Sequence, residues 1–346
     1  MRRYLLETNL WSFIMGSNSK SAALRVLLAI LFNSTRNNKG GLPKCPYSMK
    51  NTHLEHPEDS ILNGDLSVLD WFSADSTISV KIDGAPAIVW GRNPANGKFF
   101  VGTKSVFNKV KIKINHSHEE IDANHEGKVA DVLHLCFDHL PHTNRIYQGD
   151  FIGAGGSDTY RPNTITYKFP QVITQDLIIA PHTIYSGGDD LREVSAAPLQ
   201  YKLKSTDCCL FVQPEVSLSP YREDLEDVCK FAKQMSTLCE FVSDRKASQI
   251  KKEINACIRE QRVVDEDEIA EKCDCDKNLI RLWRLVKSIK DDLFLFIHDE
   301  DEIECELCGV QSFHEGYVIT NEFGMFKVVD RETFSHANFV LPKEWV

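Results

Sequence analysis

No apolar stretch in this sequence is long enough to cross a bilayer as a helix. The run Ala22 to Phe32 falls short of the ~20 residues that a span requires, and it carries Arg25. A secretory leader fits poorly too, since Glu7 and Trp11 precede the run and Asn33-Ser-Thr-Arg36 follows where small residues would mark cleavage. A regular cysteine framework is also missing. Eleven cysteines, with Cys208 and Cys209 adjacent, read as the reduced thiols of an intracellular, cytoplasmic protein. Cys273, Cys275, Cys305 and Cys308 could supply four thiolates, but Cys-x-Cys is a poor zinc knuckle and both pairs sit among acids, so zinc is not expected there. Positive charge is short as well: 40 Lys and Arg stand against 50 Asp and Glu, a net charge of -10. That excludes nonspecific coating of nucleic acid and leaves only local contacts. Two basic stretches qualify, Lys98, Lys104, Lys109, Lys111 and Lys113, then Arg245, Lys246, Lys251, Lys252, Arg259 and Arg262, although each also reads as a solvated face. No internal repeat is visible. No Gly-Lys-Ser/Thr follows the glycine-rich Gly153 to Gly156, which reads as a turn and not a phosphate cradle.

At 346 residues, 42% apolar and 26% charged, the chain has the profile of a soluble globular protein of one large or two modest domains. Residues 1–48 read as an N-terminal extension, a packed or dispensable helix followed by a polar Gly/Pro linker at 33–48. A turn and short helix occupy 53–72. Strand patterns follow at Thr77 to Ile82, Ala87 to Trp90, Phe99 to Thr103 and Val110 to Ile114, expected in one antiparallel sheet. A helix is predicted over Ala123 to His139, then strands at Arg145 to Ile152, Thr164 to Phe169, Gln175 to Tyr185 and Leu210 to Val216. From 219 to 302 the pattern turns helical and charge-rich, opening at Ser219-Pro220 and including Leu279 to Phe296. Strands resume at Tyr317 to Thr320 and Met325 to Val329. The chain thus divides into 1–48, a core over 49–218, a helical insertion at 219–302 and the rest of the core at 303–346.

The chemistry-bearing segment is Val80-Lys81-Ile82-Asp83-Gly84-Ala85-Pro86-Ala87. A lysine made less basic by nearby cations can attack an α-phosphate, although Lys-x-Asp-Gly alone also describes a surface hairpin. In order after it come Gly102-Thr103-Lys104-Ser105, Tyr147-Gln148-Gly149-Asp150-Phe151, Thr166-Tyr167-Lys168-Phe169, His314-Glu315-Gly316-Tyr317 and Met325-Phe326-Lys327-Val328. This series resembles the covalent nucleotidyltransferase superfamily of ATP-dependent DNA ligases, RNA ligases and mRNA capping enzymes. More narrowly, His53 to Asp59 together with these motifs is similar to an uncharacterised group of RNA-ligase-like proteins of tailed phages.

The resemblance implies an α+β fold, an ATP-grasp-like ligase adenylation core of antiparallel sheets with the helical subdomain inserted. It implies a lysyl-AMP intermediate on Lys81, with Asp83 orienting it and Lys327 on the α-phosphate. Lys327 and a metal would depress the pKa of Lys81. Lys104, Asp150 and Gly84 would contact the nucleotide, and Tyr167 or Phe169 would stack on its purine. Glu315, with Asp150, would bind Mg²⁺ or Mn²⁺. Pro86 replaces the arginine usual in DNA ligases, so RNA ends are the implied partner, and no membrane is expected. The short stretch after Lys327 leaves no room for the usual oligonucleotide-binding module. Transfer to another acceptor, as in RNA capping or protein AMPylation, and a non-catalytic binding relative are the alternatives.

Overall fold

In Thr77-Ile-Ser-Val-Lys81 the period of two puts Ile78 and Val80 on one face and Ser79 and Lys81 on the other, so the segment forms a strand with one face to bury. A computed structural model, which describes residues 54–218 and 223–337, places it as β1 (Thr77–Lys81). Elements are numbered in chain order. β1 pairs antiparallel with β14 (Gly316–Asn321), and β14 pairs with β15 (Gly324–Val329), closing a three-stranded sheet from the two ends of the described chain. Register sets Lys81 opposite Gly316, and Ser79 opposite Val318, which faces Lys327.

The core face of that sheet, Val80, Tyr317, Ile319, Phe326 and Val328, joins one hydrophobic cluster with the helices. These are α1 (Pro57–Ser60) and α2 (Ser67–Trp71), then α5 (Glu223–Ser236), α6 (Asp244–Arg259), α7 (Glu266–Cys273) and α8 (Lys277–Leu295). Ser243, Asp265 and Asp276 cap α6, α7 and α8 by accepting first-turn amides. α8 carries buried Leu279, Leu282, Trp283, Leu285, Val286 and Ile289, too broad an apolar face for a surface helix, and it lies at the centre of this layer. The insertion therefore shares its core with the sheet and packs as a layer of the same body. β10 (Val216–Leu218) and β11 (Ile297–Asp299) pair at its base.

The larger sheet has six strands, with β2 (Ala87–Arg92), β3 (Phe99–Gly102), β4 (Ile146–Ala154), β7 (Leu177–Ser186) and β8 (Ser195–Pro198) in the order β3-β2-β4-β7-β8. β9 (Cys209–Phe211) runs parallel to β7. Helix α4 (Gly127–His139), preceded by α3 (His118–Asn124), covers one face with Ala130, Leu133 and Cys136 against Ile88, Trp90 and Tyr147. A four-stranded sheet, β5 (Thr159–Tyr160), β6 (Ile165–Lys168), β12 (Glu304–Leu307) and β13 (Val310–Ser312), lies in the order β13-β12-β6-β5. The class is α+β with antiparallel sheets.

Several expectations change. Residues 77–114 do not make one sheet, because Asp83-Gly84 carries the chain from one sheet to another instead of closing a hairpin. Val110 to Ile114 is not a strand: Val110 is 78% exposed, and beside Val101 of β3 only Asn115 forms a bridge. The helix expected at Ala123 is two, broken where Gly127 takes φ +58°. Leu210 to Val216 divides into β9 and β10. Ser219-Pro220 and the 22–32 run lie outside the described residues. Among the described residues no helix is long and apolar enough to cross a membrane.

One buried ionic network joins the layers. Lys290 of α8 donates to Glu58 at 2.9 Å, and Arg331 donates to Glu58 at 3.2 Å, Asp59 at 2.9 Å and Asn255 at 2.7 Å. Trp283 Nε1 donates to Asp59 at 3.0 Å. Burial drives the pKa of neighbouring His56 down to about 2, so that imidazole is neutral. Burial would raise Glu58, but the charges of Lys290 and Arg331 overcome it and hold the carboxyl well below its usual range. Removing one partner strands a buried charge. We expect Lys290→Met to lose about 3 kcal/mol of stability in urea unfolding, and Lys290→Met with Glu58→Leu to lose less than Lys290→Met alone.

Candidate active site

The polar faces of the three-stranded and the six-stranded sheets look into one cleft of about 720 Å³. On one side stand Ser79 and Lys81 of β1, Val318 of β14, and Met325 and Lys327 of β15, all on the face opposite the core by the strand period. On the other stand Gln148 and Asp150 of β4, with Pro181 and His182 of β7. Lys104, at the start of the 3₁₀ turn Lys104–Phe107 that Thr103 caps, also lines the cleft. Five of the nine residues expected from sequence, Lys81, Lys104, Asp150, Glu315 and Lys327, are thereby brought together.

Lys81 ends β1, and Glu315 precedes the first residue of β14, 234 positions later. Their side chains form a direct ion pair. Burial lowers the pKa of Lys81, but the charge and hydrogen bond of Glu315, backed by Asp150 and Asp83, leave it above the ordinary lysine value. The depressed amine expected from sequence is therefore not the state of this paired lysine, because an anion and not a cation is its nearest charged neighbour. Burial lifts Glu315 above the usual carboxylate range against the opposing pull of Lys81. Burial, followed by the charge of Lys81, pushes Lys327 below its ordinary value. The Lys327 amide donates to the Glu55 carbonyl at 3.1 Å, which ties β15 to the segment that leads into the buried ionic network.

Asp83 lies behind the cleft. Its carboxylate accepts from Asn163 Nδ2 at 2.7 Å and from the amides of Thr164 at 2.8 Å and Ile165 at 3.1 Å. It anchors the start of β6 and is not among the residues that line the cleft. Gly84 has a steric role: a Cβ there would lie 2.7 Å from Asp150 Cβ and 2.9 Å from the Phe151 carbonyl. The bare backbone lets the Asp-Gly turn press on β4 beside Asp150, where the Ala85 amide reaches the Phe151 carbonyl at 3.0 Å.

The two aromatics expected on a purine are core residues. Tyr167 is 1% exposed, its hydroxyl accepts the Asp83 amide at 2.7 Å, and its ring stacks on His314. Phe169 packs edge-on against Tyr160. Alternation along β6 aims both inward, whereas Tyr201, beyond β8, lines the cleft.

Sequence reasoning passed over three polar residues. Gln148 accepts from the Tyr185 hydroxyl at 2.6 Å and shares the face of Asp150 two residues on, a spacing legible in β4. His182 Nε2 lies 3.7 Å from Asp150, placed there after a shift in the β4–β7 register that no sequence pattern announces. His314, directly before Glu315, pairs with Asp301 at 3.0 Å and faces Cys305 Sγ at 3.5 Å. Burial works against its charge, yet Asp301 and Cys305 raise its pKa to about 10.

Cys273, Cys275, Cys305 and Cys308 do not converge as a ligand set among the described residues, nor does any trio of His, Cys, Asp and Glu assemble in the cleft. Of the three carboxylates on its walls, Glu315, Asp150 and Glu215, the first two would suit Mg²⁺, which takes one or two such groups with phosphate oxygens.

A model of the family described as "Family of unknown function (DUF6267)" matches residues 51–277 and 265–343. No curated protein and no solved structure matches the chain.

A histidine whose folded pKa is raised stabilises the fold fully below its unfolded value, near 6.5, and ceases to do so as pH rises through about 10. We expect the difference in melting temperature between the wild type and His314→Gln to shrink steadily from pH 6.5 to 10, as read by thermal melts of both proteins.

Proposed function

The chain belongs to this family of unknown function, and we propose that it is an ATP-dependent nucleotidyltransferase that adenylates Lys81 and passes AMP, in the manner of an RNA ligase, to a 5′-phosphate for joining to a 3′-hydroxyl. The observation that carries the reading is the meeting, in one cleft, of a strand-end lysine, a second lysine on the same face of the same sheet, a buried glutamate and an aspartate from the opposite sheet. Transfer of a nucleotidyl group needs mostly positioning and charge neutralisation, and this set supplies both.

In the first step the neutral Lys81 amine attacks the α-phosphorus of ATP. An N–P bond forms, the P–O bond to the β-phosphate breaks, and pyrophosphate departs with the electron pair. Lys81 must first lose its proton, and the pull of Glu315 opposes that loss. Once the Glu315 charge is neutralised or turned away, burial and the cationic Lys327 favour the free amine. Lys327 then stands beside the developing charge on the α-phosphate. Mg²⁺ held by Glu315 and Asp150 would supply further neutralisation of the triphosphate. In the second step a 5′-phosphate oxygen displaces Lys81 from the adenylyl group, which regenerates the amine.

The test is incubation with α-labelled ATP or GTP and Mg²⁺, followed by denaturing electrophoresis. We expect a covalent label with ATP, none in Lys81→Ala, and a rate lowered about 10²–10³-fold in Lys327→Ala, the usual effect of removing one charge-stabilising donor. Chasing the labelled protein with 5′-phosphorylated single-stranded RNA should release the label onto the strand. Absence of label with either nucleotide overturns the proposal.

A further inference from the structure

We infer that the protein carries a second site, outside the cleft, for a zinc-class divalent cation, with His139, Asp176 and Cys208 as its ligands. The three donor atoms lie within 4.8 Å of one another, and none of the three residues lines the cleft. Each comes from a different element. His139 is the last residue of α4, Asp176 immediately precedes β7, and Cys208 immediately precedes β9. Parallel pairing fixes the last two side by side, since Leu177 stands opposite Cys209 and its amide donates to the Cys208 carbonyl at 3.0 Å. Packing of Leu133 and Cys136 of α4 against Leu177 and Cys209 holds the helix end over that pair.

Ligand distances of about 2.0–2.3 Å around a tetrahedral Zn²⁺ put donor atoms roughly 3.3–3.6 Å apart. His139 Nδ1 and Asp176 Oδ2 already stand at 3.5 Å. Closing the remaining gap needs a side-chain rotation at Cys208, which is exposed and free to make it. One thiolate, one imidazole and one carboxylate form a mixed donor set that selects Zn²⁺ or Co²⁺ over Mg²⁺ and Ca²⁺, which prefer oxygen alone. The neighbouring Cys209 cannot replace Cys208, for it is buried among apolar side chains. Three protein ligands leave a fourth position for water, and exposure of Asp176 and Cys208 gives the ion a way in. Bound there, the ion would fasten the end of α4 to the β7–β9 edge of the large sheet. The inference does not depend on the activity proposed for the cleft.

Co²⁺ is the probe. Titration of the metal-free full chain should give a near-ultraviolet thiolate-to-cobalt absorption that saturates at one equivalent and is displaced by Zn²⁺. Cys208→Ser should abolish that absorption, His139→Asn should weaken binding at least 10-fold, and Cys308→Ser, at another exposed cysteine, should leave it unchanged. In the wild type, Zn²⁺ should also slow alkylation of Cys208, read by peptide mass. No thiolate absorption, its persistence in Cys208→Ser, or unchanged alkylation of Cys208 with Zn²⁺ present overturns the inference.

Discussion

Two opposite charges, Lys81 at the end of β1 and Glu315 at the threshold of β14, face one another because the antiparallel register sets Lys81 opposite Gly316. Everything on the small sheet follows from that register. A slip of one residue would turn Lys81 toward the helices and Val80 toward solvent, so the burial that fixes Val80, Tyr317 and Val328 also fixes the charged pair. Lys327 arrives on the same face through the β14–β15 pairing, and its own charge is destabilised by burial and by Lys81. The site is consequently balanced: Glu315 pairs with Lys81 and feels the charge of Lys327, and its state weighs on the charge of Lys81.

The helical layer supplies the rigidity for this balance. β1 and β14 are far apart in sequence, and the long insertion between them returns the chain to within strand-pairing distance through the β10–β11 pair. α8 packs through the middle, and its Lys290 reaches the buried Glu58 that also binds Arg331. Arg331 lies two residues past the end of β15, and Glu55, beside the same network, accepts the amide of Lys327. The ionic network therefore anchors the chain just past the C-terminal end of β15, and the segment that leads into it holds the strand at Lys327. A buried network of this kind adds little net stability against an apolar replacement, so its value here lies in position.

Much of this was legible in the sequence where local pattern and chemistry coincide. Alternation in Thr77 to Ile82 and Met325 to Val329 located two site strands within a residue, and the ordered motifs singled out Lys81, Asp150, Glu315 and Lys327, which the fold gathers in one cleft. What was not legible depends on partners remote in sequence. Asp83 looked like a site carboxylate, but the amides that consume it belong to Thr164 and Ile165. Tyr167 and Phe169 looked like a stacking platform, yet strand direction, which single-sequence alternation does not orient, turns them inward. Asp-Gly suggested a hairpin, whereas the tight approach of Gly84 to Asp150 makes it a crossing between sheets. The ionic role of Glu58 and Asp59 could not be read without knowing that α8 and Arg331 return to them.

The central claim is that Glu315 sets the protonation of Lys81, and the pH dependence of Lys81 acylation tests it without reference to any substrate. Reaction with an amine-selective reagent across pH 7 to 11, read peptide by peptide by mass spectrometry, gives the apparent pKa of that side chain. We expect a Lys81 profile displaced to higher pH than ordinary lysines in the wild type, and displaced to lower pH in Glu315→Gln, where only Asp150 and Asp83 still oppose burial and Lys327. Coincident Lys81 profiles in the two proteins would contradict it.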